Sequence, residues 1–250
     1  MYDALYGTDV IPENLGEEKG SGYNPVRGDK VIAYAARFLN NSVGLKGAEH
    51  QTVTRYFVED GQLQADLANG KTTGLTAPDQ LVGYQGKSDQ PSAILLVNNN
   101  LHIEIQIDRM DAVGKDQPGG VKDVVLESAV TTIQDCEDSV AAVDGPDKTT
   151  VYRNWLGLMK GNLTSTFEKN GKDMTRTLND DRTYKSIDGT SFSLPGRSLM
   201  LVRNVGHLMT NPAVLDSNGN EVPEGILDAM FTICIAKHDL IGNSPYQNSK

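Results

Sequence analysis

"TTIQDCEDSVAAVDGPDK", residues 131–148, is the stretch on which the fold turns. An apolar approach (Val130, Thr132, Ile133) runs into three acids, Asp135, Glu137 and Asp138. The chain then turns through Asp144, Gly145, Pro146 and Asp147. An acidic, solvated loop is one reading of such a stretch. The other is that a buried strand ends here and that its end is the floor of a site.

The flanking sequence bears on the choice. Pro146 at a first turn opens a helix through "PDKTTVYRNWLGLMKG", with Val151, Trp155, Leu156 and Met159 on one face. Further on, "RSLMLVRNVGHLMT" reads as an uninterrupted apolar strand from Ser198 to Val202, ending in Arg203. A helix over 225–240 is expected to bury Ile226, Leu227, Met230, Phe231, Cys234 and Ile235. Strand, helix, strand, helix with near-continuous apolar strands implies a parallel sheet covered on both faces. Sites of parallel barrels lie at the C-terminal ends of the strands, so Arg203 and the acids could face one pocket.

Upstream the style is different. Residues 9–28 read as a loop, and Asp29 is expected to cap a helix (Val31, Ile32, Ala35, Phe38, Leu39) that ends near Gly44. Asp60-Gly61 and Asn69-Gly70 break short alternating runs as hairpin turns, and Leu101, Ile103, Ile105 and Ile107 share a strand face. To about residue 120 this is an antiparallel β domain with one helix. "GGVKDVVLESAV" reads as a helical turn or two leading into the strand before Asp135. Asn170-Gly171 and Asp188-Gly189 mark hairpins in a second β-rich excursion.

Bulk properties narrow the function classes. A net charge of −10 across 250 residues argues against a nucleic-acid binder, which needs a positive field to displace counterions from phosphate. No stretch reaches the roughly 18 apolar residues of a membrane span, and the start lacks the regions of a signal peptide. Cys136 and Cys234 lie in apolar surroundings and read as reduced, buried thiols of a cytoplasmic protein. "DSNGNEVPEGIL" opens like a calcium loop but has Glu221 where the sharp-turn glycine belongs and Leu227 where the closing glutamate belongs; it is a turn. His50, His102, His207 and His238 have no zinc spacing.

Longer blocks then carry a resemblance. "DCEDSVAAVD", "YRNWLGLMKG", "LNDDRTY", "GRSLMLVRNVGHLMTN", "EVPEGILDA" and "YDALYGTDVIP" together resemble the malate synthase G family, along essentially all 250 residues. The resemblance implies an α/β fold: part of a (β/α)8 TIM barrel carrying an inserted β-rich α+β domain. It places the insert at 1–125, the first βα units of the barrel at 126–160 and 198–241, and at 161–197 a second β-rich excursion packing with the insert. It implies condensation of acetyl-CoA with glyoxylate and water to malate and CoA, in the glyoxylate cycle, with magnesium (Mg2+).

Carried over by motif, Arg203 is the catalytic arginine, and Ser139 and Arg176 bind acetyl-CoA. Glu137 and Asp138 stand at the rim of the metal site, where they would bond metal-bound waters, and Asp135 is structural. The metal's own ligands and the aspartate that deprotonates acetyl-CoA belong to parts of the family outside this stretch. The chain is therefore expected to be inactive alone and to self-associate through 128–160 and 198–240, whereas a full-length member would be monomeric. The alternatives are another magnesium-dependent barrel lyase acting on a 2-oxo acid or CoA thioester, and a stand-alone non-catalytic module.

Overall fold

A computed structural model of the chain describes residues 1–127, 132–137, 142–169, 171–198 and 200–245. In chain order the elements are α1 (Tyr2–Gly7), α2 (Pro25–Ser42), β1 (Val53–Glu59), β2 (Gln62–Leu67) and β3 (Thr72–Gly74). Then come β4 (Leu81–Lys87), β5 (Gln90–Asn98), β6 (Leu101–Ile107), β7 (Val121–Leu126), β8 (Thr132–Asp135) and α3 (Gly145–Lys160). The last are β9 (Thr164–Lys169), β10 (Lys172–Thr177), β11 (Arg182–Ser186), β12 (Ser191–Leu194), β13 (Met200–Arg203), β14 (Thr210–Leu215), β15 (Glu221–Pro223) and α4 (Glu224–Leu240). The chain divides into two compact units: residues 1–127 with 182–194, and residues 128–181 with 195–250.

The first unit holds a three-stranded sheet β1-β2-β3 and a six-stranded antiparallel sheet β12-β11-β4-β5-β6-β7. Its hairpins form where the turn residues tolerate positive φ. Asp60 and Gly61 adopt φ of 50° and 71°, and Asn99 and Asn100 adopt 50° and 63°. Val31, Ala35 and Leu39, four residues apart on α2, share a core with Ile94, Leu96, Ile103, Ile105 and Val124 of the larger sheet.

Gly83 lets β11 come close to β4, because a Cβ there would stand 2.5 Å from the Lys185 carbonyl oxygen. Two expectations are corrected here. The cap of α2 is Asn24, not Asp29; its side chain accepts from the Val26 and Arg27 amides, and Pro25 pre-sets the first turn. Residues 121–126 form an edge strand rather than a helical turn, since the β-branched run Val121, Val124, Val125 meets the open edge of β6.

In the second unit β8 and β13 pair in parallel, with Asp135 opposite Arg203. Asp144 caps α3 by accepting from the Asp147 amide at 2.9 Å, Pro146 lies in its first turn, and Gly161 ends it at φ 71°. β9-β10 and β14-β15 are hairpins, and the Asp216 carboxylate closes the second by accepting from the Asn218 and Asn220 amides.

Helix α4 faces the other way from expectation. Leu227 is buried, but Ile226 is 62 % and Met230 52 % exposed, and Cys234 is also exposed. The buried row is Glu224, Asp228 and Thr232. This helix is apolar almost all round, so periodicity alone could not select its inner face. The polar row turns inward because partners for it wait there. Overall the architecture is mixed α/β, dominated by strands. Among the described residues the parallel sheet has two strands.

Candidate active site

The parallel register sets the site. Pairing β8 with β13 places the ends of both strands side by side, and the Cys136 amide donates to the Arg203 carbonyl at 3.0 Å. From the end of β13, Arg203 Nε donates to Asp135 Oδ1 at 2.9 Å and Nη2 donates to Asp135 Oδ2 at 2.6 Å. Nη2 also donates to Glu137 Oε2 at 3.0 Å. The two-pronged contact fixes the plane of the guanidinium as well as its position, which a lysine could not do. The Glu137 amide in turn donates to Asp135 Oδ1 at 3.1 Å.

The electrostatics follow from those contacts. The Arg203 hydrogen bonds, helped by backbone amides, hold the Asp135 carboxyl below the usual carboxylate range. Asp135 in turn pushes the Arg203 guanidinium further up. Opposite charge rather than repulsion among the acids sets the direction for Asp135, because Arg203 lies beside it. The Arg203 side chain is 52 % exposed.

Arg203 and Glu137 are thus brought together. Asp138 and Ser139 lie outside the described residues. Arg176 sits on the β9-β10 hairpin opposite Ser165, with its guanidinium 4.7 Å from the Phe167 ring centroid, and it is exposed. Among the described residues no group of three His, Cys, Asp or Glu side chains could hold a metal ion, and Asp135 and Glu137 are already engaged by Arg203. The described residues therefore do not make a magnesium site.

Sequence reasoning missed a set of buried polar residues beneath the strand ends. Lys148 on α3 is 2 % exposed and Asp228 on α4 fully buried. The Lys148 ammonium donates to both Asp228 oxygens, at 3.0 and 3.2 Å, to the Cys136 carbonyl, and pairs with Glu224. Asp228 also accepts from the Tyr152 hydroxyl at 2.6 Å and from the Val205 amide at 2.9 Å. Burial pulls the Lys148 ammonium down, but its two carboxylate partners outweigh that and its net shift is upward. The Cys136 thiol is pushed up to about 11, chiefly by burial and next by Asp228. One signal of this set was available in the sequence. Asp228 is the sole charged residue between Glu224 and Lys237, in a run too apolar for an unpaired acid.

Comparison with known proteins gives a consistent answer. Residues 23–98 match the family model described as malate synthase G, alpha-beta insertion domain. All 250 residues align with malate synthase G of Halalkalibacterium halodurans at 56% identity, covering 34% of that protein. The same full span aligns with malate synthase G of Corynebacterium glutamicum at 49% and of Corynebacterium efficiens at 48%, covering 34% and 33% of them. The chain spans about a third of the length of the curated relatives it matches. Along that third of their length, and over the whole of its own, the chain is similar to malate synthase G.

Proposed function

We propose that this chain supplies part of the acyl-condensing site of a cytoplasmic malate synthase, with Arg203 as its catalytic cation. The observation that carries the reading is the fixed guanidinium at the end of β13, aligned by Asp135 and Glu137 from the end of β8. Removing a proton from the methyl group of acetyl-CoA builds negative charge on the thioester oxygen. A guanidinium already held in place stabilises that charge without having to reorganise. The carbanionic carbon then forms a bond to the aldehyde carbon of glyoxylate, and water cleaves the thioester to release malate and CoA.

Glyoxylate, an anion with a planar carboxylate, suits the same planar cation. In this reading the β-strand ends belong to a (β/α)8 barrel, Ser139 and Arg176 contact acetyl-CoA, and Glu137 and Asp138 border the metal. Magnesium, when bound, would polarise the aldehyde; its ligands and the proton-abstracting aspartate come from the rest of a full-length protein. Residues 1–125 form the insert, and 161–197 form the second excursion.

The test is a chimera in which this chain replaces the matching third of the Halalkalibacterium protein. CoA release from acetyl-CoA and glyoxylate is then followed with magnesium present. Turnover on the order of 1 per second or more is expected of the chimera, and none of the 250-residue chain alone. Arg203→Lys should lower kcat by roughly 10²-fold, the scale of a lost oxyanion donor. An unchanged kcat would return Arg203 to a structural role.

A further inference from the structure

We propose that Lys148 and Asp228 are positioning residues for the Arg203 cluster, acting through the backbone at the ends of β8 and β13. The role rests on which atoms they hold. Lys148 donates to the carbonyl of Cys136, the residue between Asp135 and Glu137. Asp228 accepts from the amide of Val205, two residues beyond Arg203. The ion pair between them, at 3.0 Å, therefore joins the backbone carrying the two acids to the backbone carrying the arginine.

Both helices contribute from below. Tyr152, one turn along α3 from Lys148, donates to Asp228 Oδ1 at 2.6 Å. Thr232, one turn along α4, donates to the Asp228 carbonyl at 2.7 Å, and its own carbonyl accepts from Trp155 Nε1 at 3.0 Å. Glu224 adds a second carboxylate on Lys148.

An apolar contact at this place would hold the strands together but leave their ends free to slide. Hydrogen bonds between a buried ion pair and two particular backbone atoms fix registration and orientation instead. A guanidinium that works by preorganised charge needs that precision, since misplacement by about 1 Å can cost about 10²-fold in rate. The inference deepens the proposed function, yet the geometry it asserts can be tested without turnover.

The experiment uses the 250-residue chain. Arg203 Nε–H is assigned by NMR from the signal lost in Arg203→Lys, and its exchange with solvent is measured. Trp155, the sole tryptophan, reports by fluorescence whether α3 and α4 remain packed. Lys148→Met and Asp228→Asn, with native Trp155 emission, should shift the Arg203 signal toward that of a free arginine and speed its exchange by roughly tenfold or more. An unchanged signal in either folded variant overturns the proposal.

Where both variants lose the native emission, Tyr152→Phe decides, because it removes one hydrogen bond to Asp228 and leaves the ion pair. A faster exchange by a factor of roughly 2–10 supports the proposal, and no change overturns it. A responsive Arg203 signal in a chain whose chimera shows no turnover would sink the proposed function and leave the positioning intact.

Discussion

The two units balance apolar and polar burial differently, although the first also buries Arg27, His50 and Glu104. The first is organised around aliphatic side chains from α2 and both sheets, with Ala35, Ile94, Leu96, Ile103 and Ile105 fully buried. The second buries Lys148, Asn211, Glu224, Asp228, Thr232 and Asp239, while Leu201, Ile226, Met230, Ile233, Leu240 and Ile241 are all more than half exposed. Burial of apolar area is tolerant and additive, and it stabilises a fold whatever the fine geometry. A buried ion network is neither. It is worth little beyond an apolar substitute, but it specifies where backbone atoms lie. The unit that carries the arginine cluster thus relies more on geometry and less on buried area than the first, and its outer surface retains apolar groups of the kind that seek partners.

The sharpest way to break this comparison is to remove one member of each core. Asp228→Ala leaves the Lys148 charge buried and uncompensated, and should destabilise the second unit by about 3–5 kcal/mol. Ile105→Ala should cost the first unit about 2–5 kcal/mol through lost burial and a cavity. Urea titrations followed by Trp155 fluorescence see the second unit alone, so only Asp228→Ala should move that midpoint. A shift below about 1 kcal/mol for Asp228→Ala would mean that the network is incidental.

Titration separates the units more gently. His50, between the Tyr56 hydroxyl and the Val43 carbonyl, has its imidazole pKa lowered by burial. Its contribution is therefore complete above the ordinary value of 6.5 and lost as pH falls below it. Cys136 is raised from 9.0 to about 11, so its contribution is complete below pH 9.0 and lost as pH rises. Lys148 is raised above 10.5, and its contribution fades only beyond that. A rise above pH 9.0 should accordingly weaken the second unit through Cys136 and, from about pH 10.0, the first through Tyr2, Tyr56 and Tyr184, whose hydroxyls burial pushes up. Acidification from pH 6.5 to 5 should instead weaken the first unit, in thermal melts followed by tyrosine and tryptophan signals separately. Equal responses of both signals would contradict the assignment.

The smallest effect concerns the outer face of α4. Ile233 is 69 % exposed, and Ile233→Ala should change stability by no more than about 0.5 kcal/mol. Met230→Lys and Ile241→Lys should instead reduce self-association seen by light scattering. A stability loss near that of Ile105→Ala would show Ile233 to be part of a core.

What could be read from the sequence depended on how local the cause was. Asp60-Gly61 and Asn69-Gly70 mark their hairpins because the turn chemistry is held in two adjacent residues. Helix α3 was legible from Asp144, Pro146 and Gly161, all within a few residues of its ends. Opposed strand ends were legible too, since two apolar runs ending in "RN" and "DCEDS" pair in register with Arg203 beside Asp135.

The Lys148–Asp228 pair was not, because its members are 80 residues apart and neither has a local reason to be buried. For the same reason the inner face of α4 was misread. Its apolar residues offered several faces of similar quality, and the choice was made by a lysine on another helix.

The pairing of β4 with β11 has a consequence for the order of events during synthesis. Tyr84 and Gly83 meet Lys185 and Ser186, about a hundred residues later in the chain. At about 5–20 residues per second, β4 leaves the ribosome roughly 5–20 s before its partner exists. During that interval it is the rim of an unfinished sheet, with unpaired donors and acceptors that another nascent chain could take. Its pairing with β5 is broken by register shifts at Leu81/Gly83 and Gln85/Gly86, and Gly86 has a φ of 84°. Such irregularities spoil the straight edge that a stray strand needs, so the same strand that must wait longest for its neighbour is the one shaped to refuse a substitute.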